Sequence, residues 1–225
     1  MSSEAQIIAL SIQVALLATL FTLPIGIFFG WLLARKQFWG KSLLDAFINI
    51  PLVLPPVVTG YFLLILLGPN GPIGGPLKSY FGIIVAFSWH GAILAAGIVS
   101  LPLLVRSVRV AIEGVERKLE DAARMLHATE FSIFREITLP LAMNGIIAGI
   151  VLAFARALGE FGATIIFASN IPGKTQTIPL AIFTLINQPD GEAKAQVLVI
   201  ASIVFAYLSM LLNEYLIRRL HHARN

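Results

Sequence analysis

The chain has 225 residues, of which 57% are hydrophobic and 12% charged, and a mean hydropathy of +0.86. These values exclude an ordinary soluble domain and point to an integral membrane protein. The formal charge is +4, and the absence of cysteine leaves no disulfides or thiolate metal sites; His90, His127, His221 and His222 are too scattered to form a ligand cluster.

A bilayer core of about 30 Å takes about 20 apolar residues per helix, and five runs of that kind succeed one another: Ile7 to Ala34, Leu43 to Leu67, Phe81 to Val105, Leu141 to Phe167 and Ala195 to Ile217. None shows the short alternating segments of a barrel, so the expected fold is an all-α transmembrane bundle forming one domain over residues 1–225. Five helices are expected, with six as the alternative. The first run is too long for a secretory signal and lacks a basic leader, so it reads as a retained helix. Pro51, Pro55 and Pro56 open the second run and are expected to tilt or kink it. PNGPIGGP, from Pro69 to Pro76, reads as a turn-rich connection. Trp31, Trp39 and Trp89 read as interfacial anchors.

Between the third and fourth runs the chain turns polar, with EDAARMLHATEFSIFREITLP from Glu120 to Pro140. Leu119, Ala122, Ala123 and Leu126 stand at i, i+3, i+4 and i+7, which predicts one face of a short helix with Glu120, Asp121 and Arg124 on the remainder. A second short helix is expected after Thr129 as N-cap, with Glu130 at its positive dipole end. Two surface helices resting on the bundle or on lipid headgroups would satisfy the same pattern.

In the fourth run Arg156 and Glu160 are spaced i, i+4. Charges at such depth require burial against protein or water, and the pair reads either as a packing salt bridge or as part of a gate near the external end of a path. Gly159 and Gly162 flank Glu160 and permit close approach or a local break. NIPGKT, Asn170 to Thr175, ends like a phosphate loop, but Ala168 occupies the first glycine position of that motif. Of the sixteen basic residues, Arg35, Lys36, Lys41, Arg106, Arg109, Arg117, Lys118, Arg124, Arg135, Arg218, Arg219 and Arg224 fall on one side of five alternating helices, with Lys78, Lys174 and Lys194 opposite. The positive-inside rule makes that side cytoplasmic and MSSEAQ external. The net charge reflects topology, and nucleic acid is not expected as a partner.

The polar segment resembles the EAA motif of ABC importer permeases. Asp121, Ala122 and Ala123 fill its first triplet, and Ile137, Leu139 and Pro140 fall in register. Two positions depart, with Asp121 for Glu and His127 for Gly. The resemblance implies that residues 113–140 form a coupling loop docking on a separate ATPase, with Leu119, Glu120, Asp121, Ala122, Ala123, Leu126, His127, Ile137, Leu139 and Pro140 as its residues. PLVLPPVVTGY, FSWHGAILAA and LAFARALGEFGATIIF resemble the permeases of molybdate importers; RALGEFGA is shared with sulfate and thiosulfate permeases. The resemblance implies a type I ABC importer permease bundle with no cofactor. The implied assembly is a homodimer in the cytoplasmic (inner) membrane of a bacterium or archaeon, with two cytoplasmic ABC ATPase subunits, an external oxyanion-binding protein and alternating access. Arg156, Gly159, Glu160 and Gly162 would line the path or gate. Tungstate, sulfate and thiosulfate remain open as substrates.

Two other classes compete. An intramembrane enzyme would need HExxH, a cysteine or a Ser-His pair on facing helices, and none is evident. A secondary transporter or channel would need no docking motif and would ordinarily show more intramembrane charge or an inverted repeat.

Overall fold

The computed structural model describes residues 3–189 and 191–222, with side chains as far as Tyr215 in the last helix. The expectations that fall on Met1, Ser2, Arg224 and the side chains of Arg218, Arg219, His221 and His222 lie outside that part. The described residues contain helices and no strand.

Ser3 starts the first helix with a capping box. Its hydroxyl accepts from the Gln6 N–H, and Gln6 Oε1 accepts from the Ser3 N–H. Helix α1 then runs from Glu4 to Arg35, about 48 Å at 1.5 Å per residue, longer than a hydrocarbon core of about 30 Å.

The second run is not one helix. It divides into α2 (Lys41–Val53) and α3 (Pro56–Leu67), bent by 111°. Leu54 precedes a proline and is driven to the extended region, at φ −69° and ψ 145°. Pro55 has no N–H to continue the ladder, whereas Pro56 suits the first turn of a new helix.

The third span is displaced toward the C-terminus. Helix α4 (Gly74–Phe81) ends at Gly82, whose φ is +66°, and α5 (Trp89–Glu113) begins only after its N-cap Ser88, whose hydroxyl accepts from the Gly91 N–H. It continues past Arg106, where the apolar run stops, because a helix need not end at the membrane surface. There Arg109 pairs with Asp45 at 2.7 Å and with Glu113 at 2.9 Å.

After α6 (Arg117–Met125) the chain enters α7 (Glu130–Ile133), passes through a π-helical turn (Phe134–Thr138) and continues as α8 (Leu139–Leu158). These last three form one apolar span, Glu130–Leu158. Beyond it lie α9 (Gly162–Phe167), α10 (Ile178–Ile186) and the long α11 (Glu192–His222). The fourth expected run is therefore broken at Gly159 to Phe161, and α10 had no counterpart in the hydropathy pattern. Four helices among the described residues can span a membrane, or five with the bent α2–α3 pair.

Helices α1, α5 and α8 form the core. Val14, Ala15, Ala18, Ala92, Ala96 and Ala157 pack in one half, and Leu104, Val108, Ile112, Ala142 and Ile146 in the other. Lipid tails are as apolar as leucine, so close fit supplies most of the attraction between helices. Gly26 and Gly30 provide that fit. A Cβ on Gly26 would stand 2.6 Å from the Leu104 side chain, and one on Gly30 2.6 Å from that of Val108. Gly30→Val should therefore separate α1 from α5 and cost about 1–3 kcal/mol as an overpacked site. Thermal unfolding in detergent should show a lowered midpoint, and an unchanged midpoint would contradict this packing.

Candidate functional site

The polar loop between α5 and α8 is ordered by its own backbone chemistry. Helix α6 closes with two bonds. The Ala128 N–H reaches Ala123 O at 3.1 Å, and the His127 N–H reaches Arg124 O at 3.0 Å. This is a Schellman ending, and His127 holds its left-handed position at φ +61°. The EAA motif has glycine there, and histidine fills the position with some steric cost. Thr129 then caps α7, its hydroxyl accepting from the Ser132 N–H, in agreement with the sequence pattern.

The π turn has a cause in Pro140. A proline cannot donate to residue i−4 and its ring crowds that carbonyl, so the ladder slips and the Leu139 N–H bonds to Phe134 O, five residues back. Ile137 and Thr138 lie in this turn, and Leu139 and Pro140 open α8.

On α6, Leu119, Ala122 and Leu126 are exposed, with Leu126 at 83% of its full area, while Ala123 is half-buried. Met125 joins this exposed patch at 75%; the four-residue apolar stripe did not include it. Asp121 is also exposed and pairs with Arg124 at 2.6 Å. Arg124 also donates from Nε to Glu130 at 2.7 Å. These carboxylates, the Glu130 hydrogen bond first, raise the Arg124 pKa.

Glu120 departs from expectation. Assigned by periodicity to the solvent side of α6 and by resemblance to the docking surface, it is instead turned inward at 2% exposure. Its carboxylate oxygens each lie 3.0 Å from Arg35 Nε at the end of α1. Thr138 Oγ1 donates to Oε1 at 2.6 Å, and an Arg35 terminal nitrogen donates to Val115 O at 3.0 Å. Lys36 reaches Glu130 at 3.4 Å. The apolar period of α6 could not reveal this, because the partner at position 35 lies 85 residues away.

A second constellation lies where α8 breaks. Arg156 stands 2.7 Å from Glu160 Oε2. At that distance the guanidinium neutralises the buried Oε2. Oε1 accepts from the Ala163 N–H at 2.8 Å; Glu160 thus both balances Arg156 and starts α9. Gly162 lies against the break in the second run, where a Cβ would meet Pro56 at 2.9 Å and Val57 N at 3.1 Å. A Cβ on Gly60 would meet Ala163 O at 2.6 Å. The two interrupted helices therefore touch at their interruptions. Gly159 contributes the end of α8 and makes no such cross-helix approach.

The GKT tripeptide is a tight turn. Gly173 has φ +74°, and the buried Thr175 hydroxyl donates to Ser169 O and accepts from the Ile171 N–H. That hydroxyl is committed to the loop itself, and no strand precedes it among the described residues.

Residues 7–222 match the family model described as binding-protein-dependent transport system inner membrane component. The chain is 58% identical over 215 residues to the molybdenum transport system permease protein ModB of Escherichia coli (strain K12), covering 96% of this chain and 94% of that one. It is 50% identical over 217 residues to ModB of Haemophilus influenzae, covering 96% and 95%. Among solved structures, an inward-facing form of the MetNI methionine ABC transporter superposes with a TM-score of 0.75 at 16% identity, covering 96% of this chain and 95% of that one. At that identity the likeness establishes the fold alone.

Two outcomes test this geometry. His127→Gly should relieve about 1 kcal/mol of left-handed strain, whereas His127→Val should add to it; thermal melts read both, and the reverse order would assign the imidazole a role of its own. For the ion pair, Glu160→Gln and Arg156→Gln should each impair assembly or transport, and the double change should cost less than their sum. Glu160→Ala should be worse than Glu160→Gln, because it also removes the acceptor for the Ala163 N–H. Strict additivity across that cycle would mean the two residues serve separate partners.

Proposed function

The chain belongs to the family of binding-protein-dependent transport inner membrane components, and from that membership we infer that it is the membrane-spanning subunit of an ATP-driven importer of molybdate. It is not itself an enzyme; ATP hydrolysis occurs on a separate partner subunit, and a substrate-binding protein delivers the cargo. The likeness to molybdenum permeases favours molybdate over sulfate or thiosulfate. Tungstate, of the same charge and shape, is the natural competitor. The protein is a multi-pass component of the inner membrane.

One observation carries the mechanical half of this reading. Leu119, Ala122, Met125 and Leu126 form an exposed apolar patch on a helix held beyond the core of the bundle, and a patch of that kind calls for a protein partner. We assign it to the ATPase, with Asp121 and Arg124 at its rim and His127 turning the chain back. Half-buried Ala123, Ile137 and Leu139, with exposed Pro140, set the angle at which the loop leaves the bundle. The clustering of Arg35, Lys36, Arg109 and Arg124 with their acidic partners at this end supports placing it in the cytoplasm, with the N-terminus outside and the C-terminus inside.

The other half is the path. Arg156 keeps 29% of its side chain exposed, and an arginine within a membrane span needs water or protein around it. A second copy of the chain would enclose it, which supports a homodimer with Arg156, Glu160, Gly159 and Gly162 beside the route at its external end. Residues 1–225 act as one domain, and alternating access would separate and close the contact of the two breaks.

Reconstitution with the ATPase and the binding protein should give ATP-dependent molybdate uptake, competed by tungstate, and the permease alone should give none. Ala122→Glu should leave the permease folded but reduce uptake by about 10- to 100-fold by removing the docking contact. Uptake by the permease alone, or efficient sulfate transport with molybdate excluded, would overturn the reading.

A further inference from the structure

The buried ion pair at the base of the loop has no place in docking, because Glu120 presents nothing to a partner. Its side chain is 3% exposed and that of Arg35 8%. Three separate parts of the chain converge there: the last turn of α1 through Arg35, α6 through Glu120, and the π turn at the root of α8 through Thr138. A fourth contact, from Arg35 to Val115 O, fixes the segment leading into α6. The bonds that join Arg35, Glu120, Thr138 and Val115 are 3.0 Å or shorter.

Covalent continuity already ties α6 to α5 and α8, its neighbours in sequence. It does not tie α6 to α1. Among the described residues the other charged link between α1 and the loop is Lys36 to Glu130, at 3.4 Å with both side chains about half exposed, and such pairs are weak. We propose that Arg35, Glu120 and Thr138 are positioning residues that make α1 move with the coupling helix, so that displacement of α6 by the ATPase enters the core through α1 as well as α8. Because Gly26 and Gly30 press α1 against α5, movement at Arg35 reaches Leu104 and Val108 without a slack contact. This rests on the importer reading above.

The chemistry supplies a test that separates linkage from stability. Removing one member strands a buried charge and destabilises the fold, whereas replacing both with apolar residues of similar volume is commonly neutral or stabilising. The decisive variant is therefore Arg35→Met with Glu120→Leu, reconstituted with the ATPase and the binding protein. Thermal midpoint, ATP hydrolysis and molybdate uptake are read on the same preparation. We expect a midpoint at or above that of the unaltered protein, retained hydrolysis, and about tenfold less molybdate imported per ATP. Thr138→Val, which removes only one donor, should lower the same ratio by a smaller factor. An apolar double variant that is stable and imports with the unaltered ratio would sink the proposal, as would one that restores a ratio lost in Arg35→Met alone. An unaltered assembly with no ATP-dependent uptake would remove the importer reading itself, and this inference with it.

Discussion

The close approach of α1 to α5 is the contact on which the rest of the molecule depends. In hydrocarbon, helices gain little by hiding from their solvent, so an interface holds only where side chains interlock at short range. Gly26 and Gly30 remove the two side chains that would keep the axes apart, and Leu104 and Val108 occupy the space. Helix α8 packs into the same core through Ala142, Ile146 and Ala153. With those three helices fixed, Arg35 and Lys36 are delivered to one end, where the polar loop meets them, while Ser11 at the other end accepts from the Ile178 N–H and seats α10.

Interruption of helices is the second constraint, since every freed backbone group at membrane depth needs an internal partner. The chain meets this differently at each break. At Leu54 and Pro55 one proline contributes no N–H, and the carbonyl of Pro55 accepts from Val58 and Thr59 as α3 begins. At Gly159 to Phe161 the Glu160 carboxylate takes the Ala163 N–H. At Pro140 the ladder does not break; it widens by one residue. Small residues gather where breaks meet, and Gly60 and Gly162 allow backbone to touch backbone there.

Much of this was legible in the sequence because local chemistry determines it. The spans arise from apolar length, and the cap at Thr129 from its hydroxyl. The Arg156 and Glu160 pair was legible from its i, i+4 spacing, although Glu160 lies just past the end of α8. The features that escaped were non-local or sub-helical. Apolar length cannot see that Gly82 and Ser88 postpone the third helix, or that Leu54 before a proline turns a tilt into a 111° bend. The periodicity of α6 places Glu120 among its charged neighbours, and only a cation at the far end of α1 draws it inside. Glu160 as the acceptor for the first turn of α9 was hidden for a related reason: the acceptor was visible, but the break that creates the free N–H was not.

The buried node also determines which parts are interchangeable. Residues 113–140 look like a cassette, continuous in sequence and bounded by two long helices, and a chimera that exchanged them between permeases would look conservative. Yet the carboxylate at position 120 is completed by a guanidinium outside that stretch, and in a foreign host it would depend on that host's own first helix for a counter-ion. The heritable unit is discontinuous: the loop together with the final turn of α1. Exchanges of partner ATPases among such proteins should therefore track paired changes at two distant places in the chain.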